Sequence, residues 1–106
     1  MFAIIYQFKV LSGRERDFLI AWKELTQMIY QYEGSLGSRL HKASEEVYIA
    51  YAQWPSEERW KNSGKTLPAE AHVIRKSMRD SCSDIQTLYS MEVSEDLLRD
   101  HSSPGK

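Results

Sequence analysis

Residues 2–10 read FAIIYQFKV, and alternation puts Phe2, Ile4, Tyr6, Phe8 and Val10 on one face and Ala3, Ile5, Gln7 and Lys9 on the other. This is a β-strand with apolar side chains on both faces, and that constrains the fold more than any other stretch. One face needs a core laid against it, and Ala3 and Ile5 leave the other too apolar to be left in water.

The next segment supplies part of that core. Ser12 followed by Glu15 fits a capping box, so a helix is expected to open there. Phe18, Trp22, Leu25, Ile29 and Tyr32 then recur at gaps of four, three, four and three, an apolar stripe at the helical period. Gly34 lies just past the stripe, where a helix commonly ends in a left-handed residue. Residues 36–42 and 47–54 read as two strands joined by the polar Ala43, Ser44, Glu45 and Glu46, a hairpin-length connection. Trp54-Pro55-Ser56 breaks the alternation, and Ser56 can cap a short helix with Glu57 and Glu58 in its first turn, ending by Gly64. Residues 68–81 carry Ala71, Ile74 and Met78 at helical spacing behind Pro68, and residues 84–93 form a last strand. That strand alternates Ile85, Thr87, Tyr89, Met91 and Val93 against Gln86, Leu88, Ser90 and Glu92. The domain is expected to span residues 1–93, with a mobile tail over 94–106.

The order β-α-β-β-α-β, with an extra short helix, is the split βαβ arrangement of an α+β, ferredoxin-like antiparallel sheet whose helices cover one face only. The third strand, like the first, is apolar on both sides, with Val47, Ile49 and Tyr51 opposite Tyr48, Ala50, Ala52 and Trp54. The helix-free face is therefore expected to pack on a second copy about a two-fold axis, giving a homodimer. Composition narrows the function. With 106 residues, 42% hydrophobic, the chain has room for one domain. Fourteen Lys+Arg against 15 Asp+Glu leave a formal charge of -1, which offers nucleic acid no long-range attraction. No stretch approaches the roughly 20 apolar residues of a membrane span, and no leader pattern opens the chain, so a cytoplasmic protein is expected. Cys82 is the single cysteine, and His41, His72 and His101 are scattered, which disfavours a structural metal site.

The stretches YEGSLGSRL after the first helix, VYIAYAQWPSEERW from the third strand into the short helix, and EAH in the next helix together resemble the antibiotic biosynthesis monooxygenase (ABM) domain family. The resemblance covers about residues 2–93. It implies a dimeric α+β barrel, two ferredoxin-like sheets facing one another, with a ligand pocket between sheet and helices in each subunit. It also implies a cofactor-independent monooxygenase acting on a small hydrophobic or aromatic substrate of phenol or quinol type. Two other functions stand beside this one: a non-catalytic ligand-binding or stress-response module, and a heme-binding relative of the heme-degrading members. Those members use an Asn in the first strand, a Trp in the short helix and a His in the following helix. Here His72 falls at the place of the His, while the Asn place holds Tyr6 and the Trp place holds Ser63, with Trp60 one turn earlier.

Oxygenation without a cofactor needs an electron-rich phenolate or enolate, a dry aromatic pocket, a base and donors for the developing oxyanion. His72 and Tyr6 are the candidates for the catalytic groups, His72 as base or as donor. Trp60, Tyr48, Tyr51, Arg39 and Arg75 are the candidates for binding substrate. His72, Arg75 and Arg79 follow at i, i+3 and i+7, one helix face able to hold a carboxylate or phenolate, or else a solvated basic face. Trp22 is a further candidate for the aromatic pocket but, at the centre of its stripe, reads most simply as core, and Trp54 and Trp60 read as packing of the short helix or as ligand contacts. Cys82 reads as a packed thiol and not a nucleophile.

Overall fold

The computed structural model describes residues 1–99. The elements run β1 (Phe2–Val10), α1 (Glu15–Glu33), β2 (Gly37–Lys42), β3 (Val47–Trp54), α2 (Glu57–Lys61), α3 (Ala69–Asp80) and β4 (Cys82–Glu92). The four strands form one antiparallel sheet in the order β2-β3-β1-β4, so the expected ferredoxin-like α+β order is present with α2 as the addition. The doubly apolar β1 takes an inner position, paired with β3 from Phe2↔Trp54 to Lys9↔Val47 and with β4 from Phe2↔Glu92 to Val10↔Cys82. No helix among the described residues is long and apolar enough to cross a membrane.

Partners in antiparallel register share a face, and the helices pack on the face of Phe2, Ile4, Phe8 and Val10. On β3 the same face presents Tyr48, Ala50, Ala52 and Trp54. Phe18 and Leu25 of α1 and Ala71 and Met78 of α3 close over it. Phe18 is fully buried, with ring centroids 5.1 Å from Phe8 and 5.2 Å from Tyr48 in tilted contacts. That aromatic trio joins two strands to the long helix.

Several local expectations are corrected. The capping box at Ser12 does not form. Ser12 and Gly13 make a turn closed by the Arg14 N–H on the Leu11 carbonyl at 3.0 Å, so the N-cap is Arg14 and its side chain makes no cap hydrogen bond. Glu15 accepts from the Gly13 N–H at 3.3 Å instead. In β4 the strand starts at Cys82, two residues before the expected 84, and its pairing with β1 shifts register twice. The first shift leaves Leu88 without a partner between Tyr89↔Ile5 and Thr87↔Tyr6, the pattern of a β-bulge. Ile85 and Thr87 therefore lie on the helix face, while Tyr89 and Met91 lie on the opposite one, and the single alternation read from the sequence is broken in the middle.

The other boundaries follow their local chemistry. Ser56 caps α2 by accepting the Arg59 N–H at 3.2 Å, as its position predicts. Gly34 ends α1 with φ of 74°, and a Cβ there would collide with the Arg59 guanidinium. Gly34→Ala should thus lose about 1–2 kcal/mol of stability, since the left-handed conformation is strained for any L side chain. Calorimetry should register a melting temperature lower by roughly 4–16 °C. Beyond β4, Ser94–Arg99 form neither helix nor strand, and residues 100–106 of the expected mobile tail, His101 among them, lie outside the described residues.

Candidate functional site

A cavity of about 200 Å³ lies between the helix face of the sheet, α1 and α3. Its floor exists because the helix face of the sheet carries the small Ala52 and its β2 partner Ser38 there, so Tyr6, Phe8 and Trp54 border a space that no side chain fills. Trp22, Leu25, Thr26 and Ile29 of α1 follow at i, i+3, i+4 and i+7 and form one wall. Arg75 and Met78 of α3, one turn apart, form another, and Ile85 of β4 closes the side.

Two polar groups stand out in this lining. Tyr6 is half-buried, and its hydroxyl accepts a hydrogen bond from Trp60 Nε1 at 3.0 Å. Trp60 is itself packed on Phe2, with ring centroids 5.8 Å apart, so α2 acts as a clamp on Tyr6. Burial pushes the Tyr6 pKa above its ordinary 10.0, only partly offset by the Trp60 hydrogen bond and the positive charge of Arg75. The phenol stays protonated at neutral pH and acts as a donor, not a base. Arg75 is half-buried beside it. The ion pairs among the described residues are Arg14 with Asp17, Lys61 with Glu57 and Lys76 with Asp80, and none involves Arg75. An unpaired guanidinium at an apolar cavity is a receptor for an anionic oxygen.

The segment between α2 and α3 is anchored from behind. Glu33, at the end of α1, is buried, and its Oε2 accepts the Gly64 N–H, while Thr66 Oγ1 donates to the Tyr32 carbonyl at 2.9 Å. These contacts tie the chain between Trp60 and Arg75 to the helix that forms the opposite wall.

The sequence candidates divide between four places. Tyr6, Trp60 and Arg75 come together, Tyr6 and Arg75 in the lining and Trp60 behind Tyr6. Tyr48 shares the face but is 5% exposed, packed against Phe18 outside the lining. Arg39 and Tyr51 are register partners on the opposite face, where they line a groove with Ile5, Ile49 and Leu98. They cannot reach a ligand held by Tyr6. His72 is exposed and outside the lining, because the inward side of α3 is Ala71, Ile74, Arg75 and Met78. The supposed face of His72, Arg75 and Arg79 is therefore split, Arg75 turning in and the other two facing solvent. His72, the one histidine of α3, is therefore not placed to ligate a group bound in this cavity. Trp22 both packs against the core and lines the cavity. A helix stripe that faces a cavity has the same spacing as one that faces side chains, so no sequence signal separates them.

Cys82 is half-buried at the start of β4, and burial pushes its thiol up to about 11 from 9.0. At pH 8 its thiolate fraction, and with it the rate of iodoacetamide alkylation, should be about 100-fold below that of an unperturbed thiol. Because the folded pKa is raised, the linked stability is intact below pH 9 and is lost as pH climbs toward 11.

Known proteins share this architecture. The family model for antibiotic biosynthesis monooxygenases matches residues 1–73. A Caulobacter crescentus CB15 protein, a candidate antibiotic biosynthesis monooxygenase, superposes with a TM-score of 0.74 at 18% identity, covering 89% of this chain and 90% of its own. SnoaB, a cofactor-independent oxygenase from Streptomyces nogalater, gives 0.74 at 12% identity, covering 92% and 97%. A candidate of the same kind from Deinococcus radiodurans gives 0.73 at 9%, covering 93% and 98%. At these identities the likeness is one of fold. No curated protein matches the chain significantly.

Proposed function

The chain belongs to the antibiotic biosynthesis monooxygenase family, and from that premise we propose that it is a cofactor-independent oxygenase of a small aromatic substrate of phenol or quinol type. The observation that carries the reading is the pairing of a protonated Tyr6 hydroxyl with an Arg75 that has no ion pair among the described residues, on an otherwise mostly apolar cavity. SnoaB, of the same fold, is described as an oxygenase that needs no cofactor, which supports the same reading.

The chemistry runs from these groups. A hydroxyarene enters with its oxygen toward Tyr6 and Arg75, and the guanidinium favours its ionised form. No His, Asp or Glu is among the lining residues, so the proton leaves to solvent and Tyr6 keeps its own as a donor to the phenolate. The electron-rich anion passes one electron to O2, and the resulting radical and superoxide join in a C–O bond at a ring carbon. Loss of that carbon's proton with cleavage of the O–O bond gives a quinone, the second oxygen atom leaving as water. One hydroxyarene and one O2 yield one quinone and one water, so no outside reductant is required. The apolar walls exclude bulk water and strengthen the charge interactions inside.

The test is oxygen uptake by the purified protein, stripped of any bound small molecule, with one-ring and two-ring phenols and quinols. The expected result is one O2 consumed per quinone, one 18O atom from labelled O2 in the product, and loss of uptake in Tyr6→Phe with Arg75→Leu. Compounds that bind in the cavity without uptake above background would move the protein to the class of ligand-binding modules.

The homodimer belongs to the same proposal. Ile5, Ile49, Tyr51, Tyr89 and Met91 share the helix-free face, Tyr89 being 64% exposed, a surface too apolar to stay in water. Sedimentation at micromolar concentration should give twice the 12.4 kDa chain mass.

A further inference from the structure

We infer that the cavity admits hydroxyarenes of one or two fused rings and rejects those of three, and that Trp22 sets the limit. The inference names the substrate class of the site proposed above and rests on that reading.

Size comes first. An apolar cavity of about 150 Å³ accommodates benzene, and each further fused ring adds roughly 50 Å³ at interior packing density. The cavity here measures about 200 Å³, room for a second ring and not a third.

The walls differ in what they can yield. On the sheet side the lining residue of β3 is already Ala52, held in the ladder opposite Ile4 and Ser38, so no smaller side chain short of glycine could deepen the floor. Phe8 is 4% exposed and locked against Phe18, and Trp54 is also 4% exposed, so both are parts of the core as much as of the cavity. Tyr6 is clamped by Trp60. Trp22 is different. It is the bulkiest residue on the helix side and only half-buried, and its indole N–H makes no hydrogen bond among those of the described residues. Shortening it enlarges the cavity without removing a polar contact or a fully buried ring.

The order of affinities makes the limit visible. Burial of apolar surface alone ranks three rings above two and two above one, so a cavity with a fixed ceiling reverses the last step. Calorimetric titration under nitrogen at pH 8.5, where turnover cannot interfere, with 4-methylphenol, 2-naphthol and 9-hydroxyphenanthrene, reads this directly. The wild-type protein should bind 2-naphthol at least tenfold more tightly than 9-hydroxyphenanthrene. Trp22→Ala should reverse that order, and Trp22→Leu, which keeps more of the packing should the alanine variant fail to fold, should narrow the ratio. Equal or tighter binding of the three-ring compound by the wild type overturns the limit, since the ring system would then extend through the mouth of the cavity. An unchanged ratio in a folded Trp22 variant overturns the role of Trp22. Failure of all three compounds to bind overturns the site itself, whereas the predicted order of binding without oxygen uptake overturns only the oxygenase reading.

Discussion

Arg75→Leu should lower kcat/KM for a phenolic substrate by about 10²–10³, near 3–4 kcal/mol of transition-state stabilisation, the usual loss when one preorganised donor to a developing anion is removed. The charge acts before and during the electron transfer, so a second signature accompanies the loss. Without the guanidinium the bound phenol ionises at higher pH, and the rising limb of the pH–rate profile should move in the alkaline direction. Arg75→Lys keeps the charge and should recover part of the rate, though not the planar fork. Arg79→Leu, one turn on and exposed to solvent, is the control and should leave both rate and profile unchanged. A profile that stays in place while the rate falls would mean that Arg75 acts through packing and not through charge.

The largest effect on folding is expected from Phe18→Ala. The ring is fully buried and contacts Phe8 and Tyr48, so its removal takes out the contact of α1 with two strands at once. A loss of about 3–5 kcal/mol follows from the lost transfer energy and the space left behind. That is a large part of the roughly 5–15 kcal/mol available to a domain of this size. Urea titration should show the midpoint falling with little change in slope. Tyr48→Phe keeps the ring in place and should lose less than about 1 kcal/mol, because the hydroxyl has no hydrogen-bond partner among the described residues. A comparable loss in both variants would place the stability in the polar edge of the trio and not in its apolar contacts.

Most of the architecture could be read from the chain because it rests on periodicity over long runs. β1 and β3 have the expected limits, and Gly34 ends α1 where a left-handed residue is needed. What failed depends on single residues whose effect is set by tertiary contact. Ser12 has the composition of a cap, yet the Leu11 carbonyl takes the Arg14 N–H and the chain turns before the helix opens. In β4 the side chains alternate in sequence, but the unpaired Leu88 sends Tyr89 and Met91 to the other face. The site was legible in part for the same reason. Tyr6 and Trp60 are 54 positions apart, and only the pairing of β1 with β3, with α2 folding back, brings them to 3.0 Å. Arg39 and Tyr51 were the right residue types on the wrong side of the sheet, a distinction of one position in strand register. His72 and Arg75 lie one helical turn apart, yet only the second faces inward, which the packing of Ala71 and Met78 on the sheet decides.

The position of β1 between β3 and β4 has a consequence for synthesis. Phe2 pairs with Glu92, so the strand made first waits on its outer side for the strand made last. While the ribosome is still producing α3, β1 can join the hairpin of β2 and β3 but presents an unpaired row of backbone groups along its other edge. Closing that edge requires contacts of very long sequence separation, the class that slows folding of mixed α/β domains relative to helical ones. The nascent chain should therefore remain open to chaperones and proteases until Cys82–Glu92 has left the exit tunnel, and stalled chains ending at Asp80 should be the most protease-sensitive of a length series.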